Sequence, residues 1–251
     1  HSTTGQTGSA PNSIAGVSIS YAEVGILETT SFSNDGKVYG DKDGEWTYFE
    51  YIKLSENVGQ VTYTFSNESN PQPEVETLNF THPTGGNYSW TEYTDATQST
   101  PQDQSIGLFS LNSSSAIAPD SLVGYTIRAE LTANDGYELA FKLTFEDSQV
   151  IQSSEDGTTS STKTYSMLKS SPTKLAITLV DPDSADNVMT LNFADSMSGI
   201  GIFDDYATFS SPPDSSFAAT STPGKYLDLQ GSGVVTFSVI SQPGSDQTTN
   251  T

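Results

Sequence analysis

Clustered loop carboxylates are the residues of this chain whose type and spacing come nearest to doing chemistry. Asp181-Pro182-Asp183-Ser184-Ala185-Asp186 sets three acids in one connection, and Asp41-Lys42-Asp43-Gly44-Glu45 sets three more around a glycine turn. A hard divalent cation such as Ca2+ takes about six to eight oxygens, which clustered loop acids supply. Asp181, Asp183, Asp186, Asp41, Asp43 and Glu45 are therefore the candidate metal ligands, and Ca2+ is the one cofactor they suggest. Neither segment completes the Asp-x-Asp-x-Asp-Gly…Glu loop. In a chain with 31 acidic residues, a solvated turn is the competing reading.

Aromatic platforms for sugar come second. Trp46, Tyr48, Tyr88, Trp90 and Tyr93 could offer flat faces to a polysaccharide, with neighbouring Asn and Asp supplying hydrogen bonds. An internal comparison, developed below, aligns Trp90 with Phe203 and Tyr93 with Tyr206, which marks those two as core positions. Tyr88 aligns with Gly201 and Trp46 has no counterpart, so Trp46 and Tyr88 are the candidate ligand-binding residues.

Enzyme chemistry finds little footing. His82 is the one internal histidine, it precedes Pro83 at a turn, and no Gly-x-Ser-x-Gly elbow accompanies it. Asp204 and Asp205 are adjacent in a strand-like run and would point to opposite faces. Glu74 and Glu76 would share a face, the arrangement glycoside hydrolysis needs, but such a pair is also expected in so acidic a chain. The expectation is a non-enzymatic protein with no catalytic residue.

The elements that must hold these side chains are strands. Val17-Ser18-Ile19-Ser20-Tyr21, Val61-Thr62-Tyr63-Thr64-Phe65, Leu139 to Phe145, Leu175 to Leu179 and Val234 to Val239 alternate apolar with polar residues. Turn signals such as Asn34-Asp35-Gly36 and Asn134-Asp135-Gly136 fall between them. No segment carries a helical stripe. Strands are expected near 16–23, 26–33, 45–53, 59–66, 74–81, 86–94 and 105–111. In the second half they are expected near 124–132, 137–146, 149–154, 162–169, 174–180, 187–194, 199–206 and 232–240.

The pattern also repeats. Ala10-Pro11-Asn12-Ser13-Ile14-Ala15-Gly16 returns as Ala118-Pro119-Asp120-Ser121-Leu122-Val123-Gly124, and Thr77-Leu78-Asn79-Phe80 returns as Thr190-Leu191-Asn192-Phe193. Phe80 precedes Gly86 and Tyr93 as Phe193 precedes Gly199 and Tyr206, and Tyr51 precedes Val61 as Tyr165 precedes Leu175. The fold class expected is all-β, with two tandem homologous antiparallel domains, each an up-and-down barrel or a sandwich. Their expected bounds are 10–113 and 114–241, with a long 207–232 loop in the second and polar tails at 1–9 and 242–251.

Composition narrows the setting. The formal net charge of −22 repels phosphate and anionic lipid, so neither nucleic acid nor membrane insertion is expected. Cysteine is absent, which excludes disulfide scaffolds and thiol chemistry. The acidic charge, the absence of cysteine and the Ser/Thr/Asn-rich texture lead to the expectation of secretion, and the opening His1-Ser2-Thr3 fits either a mature product after cleavage or a chain expressed without its leader.

At Ala118 to Thr126, Tyr51 and Lys53, and the two Thr-Leu-Asn-Phe words, the chain resembles a repeat of secreted bacterial all-β proteins, with the pattern Ala-Pro-x-Ser-Leu-x-Gly, then Thr-Leu-x-Phe, then Gly. It is also similar to calycin-like barrels, the group of the lipocalins and avidins. The lipocalin Gly-x-Trp is replaced by Gly16-Val17-Ser18 and Gly124-Tyr125-Thr126, which counts against an interior small-molecule pocket. The resemblance implies an envelope or extracellular role. The function expected is a structural subunit of a cell-surface or fibre-like assembly, self-associating through tails or sheet edges. The alternative is an extracellular glycan- or ligand-binding module.

Overall fold

A computed structural model describes residues 9–40, 47–65, 73–95, 97–98, 100–114, 116–180, 186–209, 218–219 and 226–243. The chain divides into two compact units, His1–Ser114 and Ser115–Thr251. The first contains β1 (Ser18–Glu23), β2 (Ile26–Phe32), β3 (Lys37–Gly40), β4 (Thr47–Lys53), β5 (Val58–Phe65), β6 (Glu74–His82), β7 (Gly85–Tyr93) and β8 (Pro101–Asn112). Each strand pairs antiparallel with the next, and β8 returns to pair with β1, so the sheet closes into a barrel.

The second unit contains β9 (Thr126–Ala133), β10 (Glu138–Phe145), β11 (Gln149–Ser154), β12 (Ser160–Lys169), β13 (Lys174–Val180), β14 (Asp186–Phe193), β15 (Ser198–Phe209), β16 (Ala218–Ala219) and β17 (Tyr226–Ser241). Here β17 bridges β15 and β9 and closes a second eight-stranded ring, with the short β16 added beside β17. The barrel, rather than the sandwich, is thus the outcome in both units. Closure gives the first and last strands of each meander a partner on both sides.

Two features depart from the expected strands. β3 follows the Asn34-Asp35-Gly36 turn at once and is too short for alternation to mark it. The segment expected as one loop over 207–232 is partly strand, because Tyr206 to Phe209 pair with Leu229 to Tyr226.

The repeated words build one end of each barrel. Ile14 and Leu122 are fully buried plugs, and Gly16 and Gly124 turn the chain at φ of 79° and 82° before donating to the carbonyls of Phe32 and Phe145. Positive φ is what demands glycine there. Lys53 Nζ donates to the Ala10 carbonyl at 2.6 Å, and Lys169 Nζ to the Ala118 carbonyl at 2.7 Å. In the Thr-Leu-Asn-Phe words the Leu and Phe point inward, and Phe80 and Phe193 meet Phe109 and Phe237 edge to face, each with centroids 4.8 Å apart. Gly86 and Gly199 lie so close to the Asn79 and Asn192 carbonyls that a Cβ would collide with them.

The pairing corrects one detail of the repeat. Tyr51 lies opposite Val61, but Tyr165 lies opposite Leu179, not Leu175. The structural equivalents are instead Lys53 and Lys169, opposite Gly59 and Leu175. A two-residue slip keeps every side chain on its own face, so alternation alone does not detect it.

Candidate functional site

The end of the first barrel away from these plugs is built differently. Alternation along β6 sends Glu74, Glu76, Leu78 and Phe80 inward, and the β5–β6 and β6–β7 registers set Glu76 between Val61 and Trp90. Leu78 and Phe80 belong to the apolar floor. Glu76 lies one step above it and is only 3% exposed.

Glu76 is held by two tyrosines from other strands. The Tyr21 hydroxyl on β1 donates to Glu76 Oε2 at 2.9 Å, and the Tyr63 hydroxyl on β5 donates to the same oxygen at 2.6 Å. Since β1 and β6 are not neighbours in the sheet, the first of these bonds crosses the lumen. Among the described residues no donor reaches Oε1. Burial pushes the Glu76 carboxyl up to about 7, the two tyrosine bonds pull against it, and the charges of Glu28 and Glu74 add to the rise. Burial, together with the Glu76 charge, holds both tyrosine hydroxyls well above their ordinary value.

Above this bridge the wall is acidic and aromatic. Trp90 Nε1 donates to Glu74 Oε2 at 3.0 Å, and the Tyr88 hydroxyl donates to Glu23 Oε2 at 3.2 Å. Tyr88 also meets Tyr21 edge to face at 5.0 Å. Glu28 enters from β2 opposite Tyr21, and Glu92 from β7 opposite Glu74. Glu23, Glu28, Glu74, Trp90 and Glu92 are inward-facing yet only half-buried. Of the described cations in this unit, Lys37 pairs with Asp35 at a turn and Lys53 is at the plugged end.

The second barrel fills the same positions with hydrocarbon. Register places Ala129 where the first barrel has Tyr21, Leu131 for Glu23, Phe141 for Glu28, Leu179 for Tyr63, Met189 for Glu76 and Phe203 for Trp90. All but Phe203 are buried, and Phe203 packs on that core. Glu74 and Glu92 correspond to Asn187 and Asp205, which bond to each other at 2.7 Å while Lys163 donates to Asn187.

The residues singled out from sequence fall as follows. Asp41, Asp43, Glu45, Trp46, Asp181 and Asp183 lie outside the described residues. Asp186 opens β14, with Oδ1 buried and without a hydrogen-bond partner among the described residues. Tyr88 is not an exterior platform: its ring is 8% exposed inside the barrel, because it lies on the inward face with Gly86 and Trp90. His82 is exposed at the end of β6, beside Thr84. Among the described residues no three His, Asp or Glu side chains converge to hold one metal ion. Sequence reasoning noticed Glu74 and Glu76 but passed over Tyr21, Tyr63, Glu23 and Glu28. The available signal was Glu76 standing where the repeat has Met189.

No protein-family model matches the chain, and no curated protein matches it at a significant level.

Proposed function

We propose that the chain is a secreted, non-enzymatic binding module whose first barrel takes a small ligand through its acidic, aromatic end, while the second barrel is a packed companion. The observation that carries this reading is the buried Tyr21–Glu76–Tyr63 bridge, set where the second barrel places Ala129, Met189 and Leu179. Burying a carboxylate costs free energy that a hydrocarbon core does not, and the second barrel shows that this topology closes without it. Such a cost, beneath a rim of half-buried acids, supports binding rather than stability as its use. Secretion rests on the acidic balance and the absence of cysteine.

The test is a thermal-shift screen of small molecules and oligosaccharides against the chain and against a Tyr21→Ala, Tyr63→Leu, Glu76→Met variant, which imports the second barrel's residues. A ligand that raises the melting temperature of the first protein alone supports the reading. An empty screen overturns it.

A structural subunit of a cell-surface assembly is the second reading. It is favoured by the apolar filling of the second barrel and by exposed apolar side chains on the first, such as Ile106 at 77% and Leu54 at 54%. Ordered polymers in negative-stain images of the purified chain, with an empty screen, would select it.

A further inference from the structure

We propose that the ligand of the first barrel is an organic cation, an ammonium group on a small carbon skeleton, with its charge received at Glu76 and its skeleton laid against Trp90 and Tyr88. The proposal rests on the binding reading above and names its ligand class.

Three observations converge on it. First, Glu76 is nine-tenths buried and more, faces the lumen, and spends one oxygen on both tyrosines while its other oxygen has no donor among the described residues. An ammonium N–H is the donor that both completes its hydrogen bonding and offsets its charge. Second, the charged groups around it among the described residues are acidic: Glu74 on the same strand, Glu23 on β1, Glu28 on β2 and Glu92 on β7. No described Lys or Arg faces this end, so the lumen focuses a field that draws cations inward. Third, the intervening wall is aromatic, from Tyr21, Tyr63, Tyr88 and Trp90, and ring faces attract an ammonium group while accepting its apolar skeleton.

A metal ion fits less well. The acids enter from separate strands, and no three of them converge among the described residues, whereas a hard cation needs several oxygens within about 2.6 Å. Above neutrality, where Glu76 is ionised, an anion or neutral sugar would leave its charge uncompensated.

The test is isothermal titration calorimetry of the full chain at pH 8 with four probes: tetramethylammonium, phenethylammonium, 1,4-diammoniobutane and phenethyl alcohol as the neutral isostere. The expected result is saturable binding of at least one ammonium probe, at least tenfold weaker binding of the alcohol, and a further loss of at least tenfold in Glu76→Gln. That variant keeps the shape and an acceptor for both tyrosines, and circular dichroism checks its fold. Should Glu76→Gln unfold, Trp90→Leu serves in its place, with a severalfold loss expected for the ammonium probe. Equal affinity for alcohol and phenethylammonium, unchanged in the variant, would overturn the cation while leaving the binding reading intact. Failure of all three ammonium probes also overturns it, and the binding reading then falls only if the thermal-shift screen is empty too.

Discussion

The two barrels share a floor and differ in what stands on it. At the plugged ends, Ile14, Lys53, Phe80 and Gly86 of the first do what Leu122, Lys169, Phe193 and Gly199 do in the second, down to the carbonyls they bond or approach. Toward the opposite ends the first barrel carries Tyr21, Tyr63 and Glu76, and the second Ala129, Leu179 and Met189. The difference separates what closing this barrel requires from what one copy has added. Closure needs a filled lower half and one plug, and the upper half tolerates either hydrocarbon or a satisfied polar network.

The comparison is broken most forcefully by moving the charge. Met189→Glu places a carboxylate in the second barrel with no tyrosine to receive it, and is expected to cost about 3 to 5 kcal/mol at pH 8, with much of the loss recovered at pH 5 where the acid is neutral. Denaturant unfolding at both pH values checks this. A variant as stable as the parent at pH 8 would mean that the second interior is no drier than the first.

Removing the charge from the first barrel works in the opposite direction. The Glu76 carboxyl is raised from 4.5 to about 7, so the folded state holds its proton more tightly than the unfolded chain does. Stability from this group is therefore greatest on the acid side, declines as pH rises from 4.5 to about 7, and is flat beyond. Glu76→Gln should flatten that decline and stabilise the first barrel above neutrality by about 3 kcal/mol, following from the size of the shift. Melting curves between pH 4 and 9 decide it, and an unchanged slope would show that Glu76 is not the titrating group.

Tyr63→Phe sharpens the account of how Glu76 is held. Losing one donor to a buried carboxylate should cost about 1 to 2 kcal/mol at pH 8 and raise the Glu76 titration further, since the Tyr63 bond is the largest influence lowering it. A carboxyl signal followed by NMR or infrared titration would move upward, and one that stayed in place would remove Tyr63 from the bridge.

The smallest effect belongs to the shared end. Lys53→Met and Lys169→Met each delete an ammonium-to-carbonyl bond, and similar losses of about 1 kcal/mol are expected in the two barrels. The added Lys169 contact with Asp120 contributes little, because Asp120 is 92% exposed. A large disparity between the two variants would show that the ends are less alike than their bonds suggest.

Local chemistry accounts for what was legible in the sequence alone. Alternation, glycine turns and the repeated words are short-range signals, and they established an all-β chain of two related units and most strand positions, while the burial of the repeated Leu78, Phe80, Leu191 and Phe193 came with the closed barrels. The four-residue β3 and the strand pairing of 206–209 were not legible, because neither carries a pattern long enough to read. Nor was the register that equates Lys53 with Lys169, since a slip by two residues preserves every face. The Tyr21–Glu76–Tyr63 bridge belonged wholly to the tertiary structure. Tyr63 and Glu76 sit on paired neighbours, β5 and β6, but Tyr21 lies 55 residues before Glu76 on a strand that does not neighbour β6. The cross-lumen half of the bridge therefore forms only with the closed barrel, and in the sequence Glu76 reads as one more acid in an acidic protein.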